Sequence, residues 1–189
     1  MSASAPFLPP AVRPALPWSW GATDAERAAS WPCDGVLSEP DEALVRAVEV
    51  AAPAPVLFRW LCQLRVGPYS YDWIDNGFRR SPRRLTPGLE ALAPGQRFCR
   101  IFELISFVPG GSVTLRITDP GARRLFGEVA ITYAAEPAAA GRSRLLAKLL
   151  VRYPRRGAAR AMRWVLPWGD LVMMRKQLLT LRQLAEGRG

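Results

Sequence analysis

Four strand-like runs joined by short turns, followed by a helical C-terminus, most constrain what this chain can fold into. The runs span residues 97–107, 112–118, 124–134 and 142–153, with Gly- and Pro-containing turns between them. Such short connections are typical of an antiparallel meander. In the last three runs apolar and polar residues alternate, which predicts a sheet with one apolar face and one largely solvated face.

Two helices are predicted on either side of the meander. Residues 44–50 alternate as a strand, and Pro55 can then open a helix that runs from Val56 to about Leu64. The C-terminus is predicted to be helical with a break at 167–169, after which Asp170 can cap a second helix. This second helix carries an apolar stripe at spacings of three and four residues. The fold class is therefore α+β.

The chain divides into three parts. Residues 1–41 are rich in proline, which disfavours long helices and central strands, but the tryptophans there need burial. We expect this N-terminal arm to pack on a single domain of residues 42–186, followed by a short tail at 187–189. No internal repeat or second domain is visible.

Composition excludes several kinds of chemistry. The chain has no histidine, so a Ser-His-Asp triad, a zincin helix and a facial iron triad are ruled out. Its three cysteines are widely spaced without a CxxC pair, which is typical of reduced thiols. We expect no metal and no cofactor, and any acid or base must be Asp, Glu, Tyr, Cys or Lys.

The N-terminus lacks the basic and apolar regions of a secretory signal, and the apolar runs are far shorter than the ~20 residues that span a bilayer. We therefore expect a cytoplasmic protein. The formal net charge is +10, and nearly all the positive charge is arginine. This charge has two readings: the codon usage of a GC-rich genome, or an anionic partner such as a membrane surface.

Three stretches resemble a known superfamily. They are the strand, Ala-Pro and helix opening at 48–61, the aromatic segment 69–76 with 81–83, and the helix at 169–178. Together they resemble the START-like, or SRPBCC, superfamily, which includes polyketide cyclases and dehydratases, lipid-transfer domains and plant ligand-binding allergens. The likeness covers about residues 42–186 and is nearest to a bacterial branch without an agreed chemistry.

The resemblance implies a helix-grip fold, in which a curved antiparallel sheet wraps around a long C-terminal helix with an apolar cavity between them. The apolar sheet face and the apolar helix stripe should meet at that cavity. The side chains expected to bind a ligand there are Trp60, Val113, Leu115, Val129, Ile131, Tyr133, Leu149, Trp168, Leu171, Met174 and Leu178.

Tyr69, Tyr71 and Trp73 alternate in a long, turn-rich segment directly after the first helix. We expect them to form a partly exposed mouth of the cavity and to contact the ligand. The alternative is that these rings plug one end of the core.

Three residues are candidates for acid–base catalysis: Glu103, Asp72 and Tyr71. Glu103 faces the cavity if Ile101 and Ile105 do, and burial would then raise the pKa of its carboxyl. If the opposite face of that strand, with Phe98, points inward instead, Glu103 is a solvated surface residue.

Two arginine clusters are possible anion-binding surfaces. Arg79, Arg80, Arg83 and Arg84 could hold a phosphate or carboxylate near the mouth, or could simply be solvated. Arginines at 152–163 are mixed with Trp164 and Trp168, a pattern that suits either an interfacial membrane helix or an ordinary amphipathic helix packed on the sheet.

Three functions follow, in order of preference. The first is a carrier or sensor of a hydrophobic small molecule such as a lipid, isoprenoid or polyketide. The second is a cyclase- or dehydratase-like enzyme that acts on such a molecule through Asp, Glu and Tyr. The third is a peripheral protein that binds anionic membrane weakly through its arginines, nucleic acid being the less expected partner. The oligomeric state is left open.

Overall fold

A computed structural model describes residues 10–71, 80–155 and 157–188, without the side chains of Ala158 and Ala159. The strands are β1 (Ser19–Trp20), β2 (Glu42–Val50), β3 (Arg97–Phe98), β4 (Phe102–Val108), β5 (Ser112–Ile117), β6 (Glu128–Pro137) and β7 (Ser143–Arg152). The α-helices are α1 (Asp24–Ala28), α2 (Ala54–Cys62), α3 (Pro120–Phe126) and α4 (Met162–Ala185), and 3₁₀ turns occur at Pro32–Gly35, Gln63–Arg65 and Ala158–Ala161.

The strands form one seven-stranded sheet in the order β1-β2-β7-β6-β5-β4-β3. All neighbouring strands are antiparallel except β1, which lies parallel to β2. The predicted meander is thus confirmed, and β2 joins it by pairing with β7 along its whole length. With a long C-terminal helix beside this sheet, the α+β helix-grip architecture is also confirmed.

The meander differs from the prediction in two places. The run at 97–107 is split into β3 and β4 by a turn in which Cys99 and Arg100 have positive φ angles. The turn expected before β6 is instead the start of α3, where the Asp119 side chain accepts a hydrogen bond from the Ala122 N–H at 2.8 Å. Asp-Pro-Gly suits a helix start as well as a turn, because an N-cap Asp followed by Pro opens helices too.

The concave face of the sheet carries the main core. Inward side chains of the strands pack with α2 and α4, and most of this cluster is nearly inaccessible to solvent. Leu104, Leu115 and Ile131 lie side by side on neighbouring strands there. This is the apolar face that the alternation predicted.

The other face of the sheet was expected to be largely solvated, and that prediction was wrong. Residues 10–40 lie across it, and Trp31, Cys33 and Leu37 bury Leu146 and Leu150 in a second apolar cluster. The outward positions of β6 and β7 alternate between polar and apolar residues, so about half of them needed a cover. The N-terminal segment supplies it.

The C-terminal helix is continuous, and the expected break at 167–169 does not occur. Pro167 lies inside α4, which runs unbroken from Met162 to Ala185. Pro167 is the sixth residue of α4, where it cannot donate the backbone hydrogen bond to the Arg163 carbonyl, yet the helix continues past it. Asp170, expected to cap a new helix, lies within α4. Among the described residues, no helix is long and apolar enough to cross a membrane.

Candidate functional site

The inner face of the sheet meets α4 over a broad apolar surface. Most of the side chains predicted to bind a ligand are buried there and join the main core: Trp60, Val113, Leu115, Val129, Ile131, Tyr133, Leu149, Met174 and Leu178. Leu171, on the same side of α4, is buried as well. The structure therefore brings together the sheet and helix residues that the sequence assigned to one surface.

Packing across this surface is uneven. Val113 and Leu178 are fully buried, whereas Leu149, Leu171 and Met174 keep 7–8% of their surface accessible to solvent. Val48 on β2 and Ala185 at the end of α4 keep a similar 8%, so this small accessibility is spread over the core.

A polar chain crosses the apolar surface near the same place. The Tyr133 hydroxyl donates to Gln177 Oε1 at 2.7 Å, and Gln177 Nε2 donates to the Pro68 carbonyl at 2.6 Å. The Tyr133 oxygen also lies 3.5 Å from the Met174 sulfur. These bonds tie β6 to α4 and to the segment after α2. Gln177 was missed by the sequence analysis, although it follows Met174 by three residues and so belongs to the buried face.

A buried ion pair anchors the middle of α4 to β2. Arg46 Nη2 lies 2.7 Å from Asp170 Oδ2, and the two side chains are only 1% and 11% exposed. Arg46 Nη1 also donates to the Trp18 and Val45 carbonyls. Burial raises the pKa of Asp170 and lowers the pKa of Arg46, while the partner's charge opposes each shift. Both charges are therefore committed to each other rather than to a reacting group.

A third polar contact lies near the end of β7. The Tyr153 hydroxyl donates to Glu42 Oε2 at 2.8 Å, and the Tyr153 N–H donates to Asp41 Oδ2 at 2.7 Å. Burial, the bond to Glu42 and nearby carboxylates raise the pKa of the Tyr153 phenol. At neutral pH this phenol is a hydrogen-bond donor held by one acceptor.

The architecture matches solved structures at low sequence identity. A crystal structure of a Mesorhizobium loti protein aligns with a TM-score of 0.50 at 14% identity, over 78% of this chain and 99% of that one. A solution structure of a Thermobifida fusca protein aligns with a TM-score of 0.51 at 16% identity, over 77% and 94%. The chain shares the helix-grip fold of these structures.

An aromatase/cyclase from a Streptomyces species also aligns, with a TM-score of 0.43 at 16% identity, over 78% of this chain and 94% of that one. No protein-family model and no curated protein matches the sequence. The helix-grip fold therefore rests on the structure, and any function has to be argued from the residues of the site.

Tyr69 was expected at a partly exposed mouth of the cavity, but it is buried. It is 2% exposed, lies in the main core and packs edge-on against Trp60 with ring centroids 6.1 Å apart. The expected partial exposure of Tyr69 was wrong, because the chain turns inward directly after α2. Tyr71 is partly exposed, and Trp73 and Asp72 lie outside the described residues.

Glu103 lies on the outer face of the sheet, away from α4. Its neighbours in the chain, Phe102 and Leu104, pair with the buried Ile117 and Leu115 on the concave face. Because strand side chains alternate, Glu103 points the other way, where it pairs in register with Arg97 and Arg116. The alternative in which this carboxyl faces the ligand was therefore wrong.

Two other groups of predicted residues lie away from the surface between the sheet and α4. Trp168, expected to line the cavity, is 55% exposed on the solvent side of α4. Arg80, Arg83 and Arg84 are exposed, and Arg79 lies outside the described residues. Among the described residues, none of these three arginines makes a hydrogen bond or an ion pair with the surface between the sheet and α4.

A surface cavity of about 370 Å³ lies on the outer side of the sheet. It is bordered by Pro10, α1 and Lys148, whose ammonium lies 2.8 Å from Asp34. It belongs to the contact between the N-terminal segment and the sheet rather than to the grip. Among the described residues, no three His, Cys, Asp or Glu side chains are grouped to hold a metal ion.

Proposed function

We propose that this protein is a cytoplasmic carrier or sensor that binds a hydrophobic small molecule between the inner face of the sheet and α4. The observation that carries the proposal is the apolar surface of the sheet and α4 around Leu149, Leu171 and Met174, crossed by the Tyr133–Gln177 hydrogen bond. Apolar walls with a few convergent polar groups are the usual makeup of small-molecule sites.

The polar chain indicates what kind of molecule fits. An apolar body would lie along β7 and α4, where Leu149 and Met174 retain accessible surface. One polar atom of the ligand would meet the phenol of Tyr133 or the amide of Gln177, since both can donate and accept hydrogen bonds. A hydroxyl or carbonyl on a lipid, isoprenoid or polyketide satisfies this pattern.

Binding without catalysis is the better fit to the ionisable groups that the structure describes near α4. Asp170 is held by Arg46, and Glu42 is bonded by the Tyr153 hydroxyl. Glu103 faces the other side of the sheet. A general acid or base must reach the proton it transfers, and these described carboxyls are either occupied or turned away.

Tyr133→Phe and Tyr153→Phe form a matched pair that tests the site. Each removes one buried hydroxyl that donates a single strong hydrogen bond, to Gln177 or to Glu42. Both should lower stability by about 1 kcal/mol. Only Tyr133→Phe should change ligand binding, with affinity for a hydroxylated apolar fluorophore lowered about five- to tenfold, because a hydrogen bond to the ligand is lost. Fluorescence titration of the two folded variants measures this.

Equal affinities for the two variants would place the ligand elsewhere. If neither the two variants nor the unmodified chain binds any hydroxylated or carbonyl-bearing apolar probe saturably, small-molecule binding between the sheet and α4 is refuted.

A further inference from the structure

Beside its buried side, α4 exposes a group of large apolar side chains to solvent. Trp164, Val165, Trp168 and Val172 are each more than half exposed, and Trp164 is 77% exposed. We call these four side chains the α4 stripe. Large exposed tryptophans are unusual on a folded surface and indicate a contact that is not part of the fold.

Helical geometry places the stripe on one side of α4. Each residue advances about 100° around the axis, so positions 164, 165, 168 and 172 fall within an arc of about 100°. By the same geometry, Leu171, Met174 and Leu178 fall about 20–80° beyond Trp164, on the adjacent side that is buried. The helix therefore packs one apolar side on the sheet and exposes apolar side chains next to it.

The charges around the stripe are all of one sign. Lys176 is exposed next to the stripe, and Arg160 and Arg163 are exposed around the start of α4. Between 154 and 185 the sequence has one acidic residue, Asp170, and that carboxylate is buried against Arg46. A surface that mixes tryptophan with unneutralised arginine complements an anionic surface that also accepts apolar side chains.

Helix α3 extends the same surface. It packs against α4 and the 3₁₀ turn at Ala158–Ala161. Leu125 is 46% exposed there, and Arg123 and Arg124 are exposed. Arg123 is paired with Glu128, whereas Arg124 has no acidic partner among the described residues. An apolar and basic patch thus spans two helices.

We propose that the α4 stripe docks the protein on an anionic lipid surface, with Trp164 and Trp168 inserted at the headgroup level. Tryptophan rings favour the membrane–water interface, and arginines beside them gain from anionic headgroups. A second copy of the chain is a poorer occupant, because a two-fold contact would bring arginines against arginines. This inference does not depend on the ligand proposed for the grip.

Vesicle cosedimentation of the full chain tests the docking. Vesicles of phosphatidylcholine with phosphatidylserine should bind it, and vesicles of phosphatidylcholine alone should bind much less. The double change Trp164→Ala and Trp168→Ala should weaken binding about tenfold or more, since both interfacial rings are lost. Lys176→Gln should weaken it about fivefold at low salt, because each basic side chain near an anionic surface contributes about that factor.

Matched controls lie far from the stripe along the chain. Val108→Ala removes apolar surface from a residue that is 56% exposed, and Arg97→Gln removes one exposed positive charge. Each should change binding less than twofold, within the usual range for surface changes away from a contact. All of the changed side chains are exposed, so circular dichroism and melting should show the folded state in every variant.

Three results would overturn the proposal. One is no binding to anionic vesicles at low salt, where electrostatic attraction is strongest. Another is equal loss of binding in the stripe and control variants. The third is a dimer in solution that the Trp164 and Trp168 changes dissociate, which would assign the stripe to a second copy.

Discussion

Asp170→Ala should lower the free energy of unfolding by about 3–5 kcal/mol, because it leaves the Arg46 guanidinium buried without its counter-charge. Arg46 is 1% exposed and has no other acidic partner among the described residues. The two carbonyls that it also contacts do not neutralise its charge. Urea unfolding of the purified variant measures the loss.

Two controls separate the burial of the charge from the loss of a salt bridge in general. Glu49→Ala breaks an exposed pair with Arg142 and should cost less than about 1 kcal/mol. The combined change Arg46→Met and Asp170→Leu removes both buried charges and should recover most of the stability lost in Asp170→Ala. A double variant no more stable than Asp170→Ala would show that packing at this position, and not the charge, holds α4.

Trp31→Ala should cost about 3–5 kcal/mol, the usual range for deleting a large buried aromatic side chain. Trp31 is 7% exposed in the outer cluster, where it covers the side of the sheet that carries Leu146 and Leu150. Its loss should open the contact between residues 10–40 and the sheet. Urea unfolding gives the stability, and limited proteolysis shows whether cleavage before β2 is faster.

The matched control for Trp31 is Leu16→Ala, in the same segment. Leu16 is 52% exposed and should contribute less than about 0.5 kcal/mol. A Trp31→Ala variant as stable as Leu16→Ala would mean that the segment lies on the sheet without stabilising it.

Periodicity was enough to predict the framework of the fold. Alternation in 112–118 and 142–153 gave the faces of β5 and β7, and the spacing of Leu171, Met174 and Leu178 gave the buried side of α4. These patterns work because a strand repeats every two residues and a helix every 3.6. Low-identity structural matches then support the same helix-grip fold.

Polar contacts between distant segments could not be read in this way. Arg46 lies on the same face of β2 as Leu44 and Val48, so alternation places it inside. An arginine is nevertheless expected to be solvated unless its partner is known. That partner, Asp170, is far away in sequence and was assigned to a cap instead. The N-terminal arm was expected to pack on the domain, but its position on the outer face was missed, because Leu146 and Leu150 alternate with charged residues and the pattern does not show that another segment buries them.

The exposure of Trp168 on α4 was not expected. Trp164 and Trp168 precede Leu171 by seven and three residues, spacings that place all three near one side of a helix. A single apolar stripe was expected, so Trp168 was assigned to the interior, yet both tryptophans are exposed. Spacing gives the direction of a side chain along a helix, but it does not show whether another element lies opposite that side chain.

Photo-crosslinking tests the central claim most directly. The full chain is incubated with a long-chain fatty acid that carries a diazirine on its chain, irradiated, digested and analysed by mass spectrometry, with an unlabelled fatty acid as competitor. Binding in the grip predicts competed labels on β7 around Leu149 and on α4 between Leu171 and Gln177. Competed labels confined to the outer cavity beside Pro10 and Lys148, or no competed label at all, would contradict it.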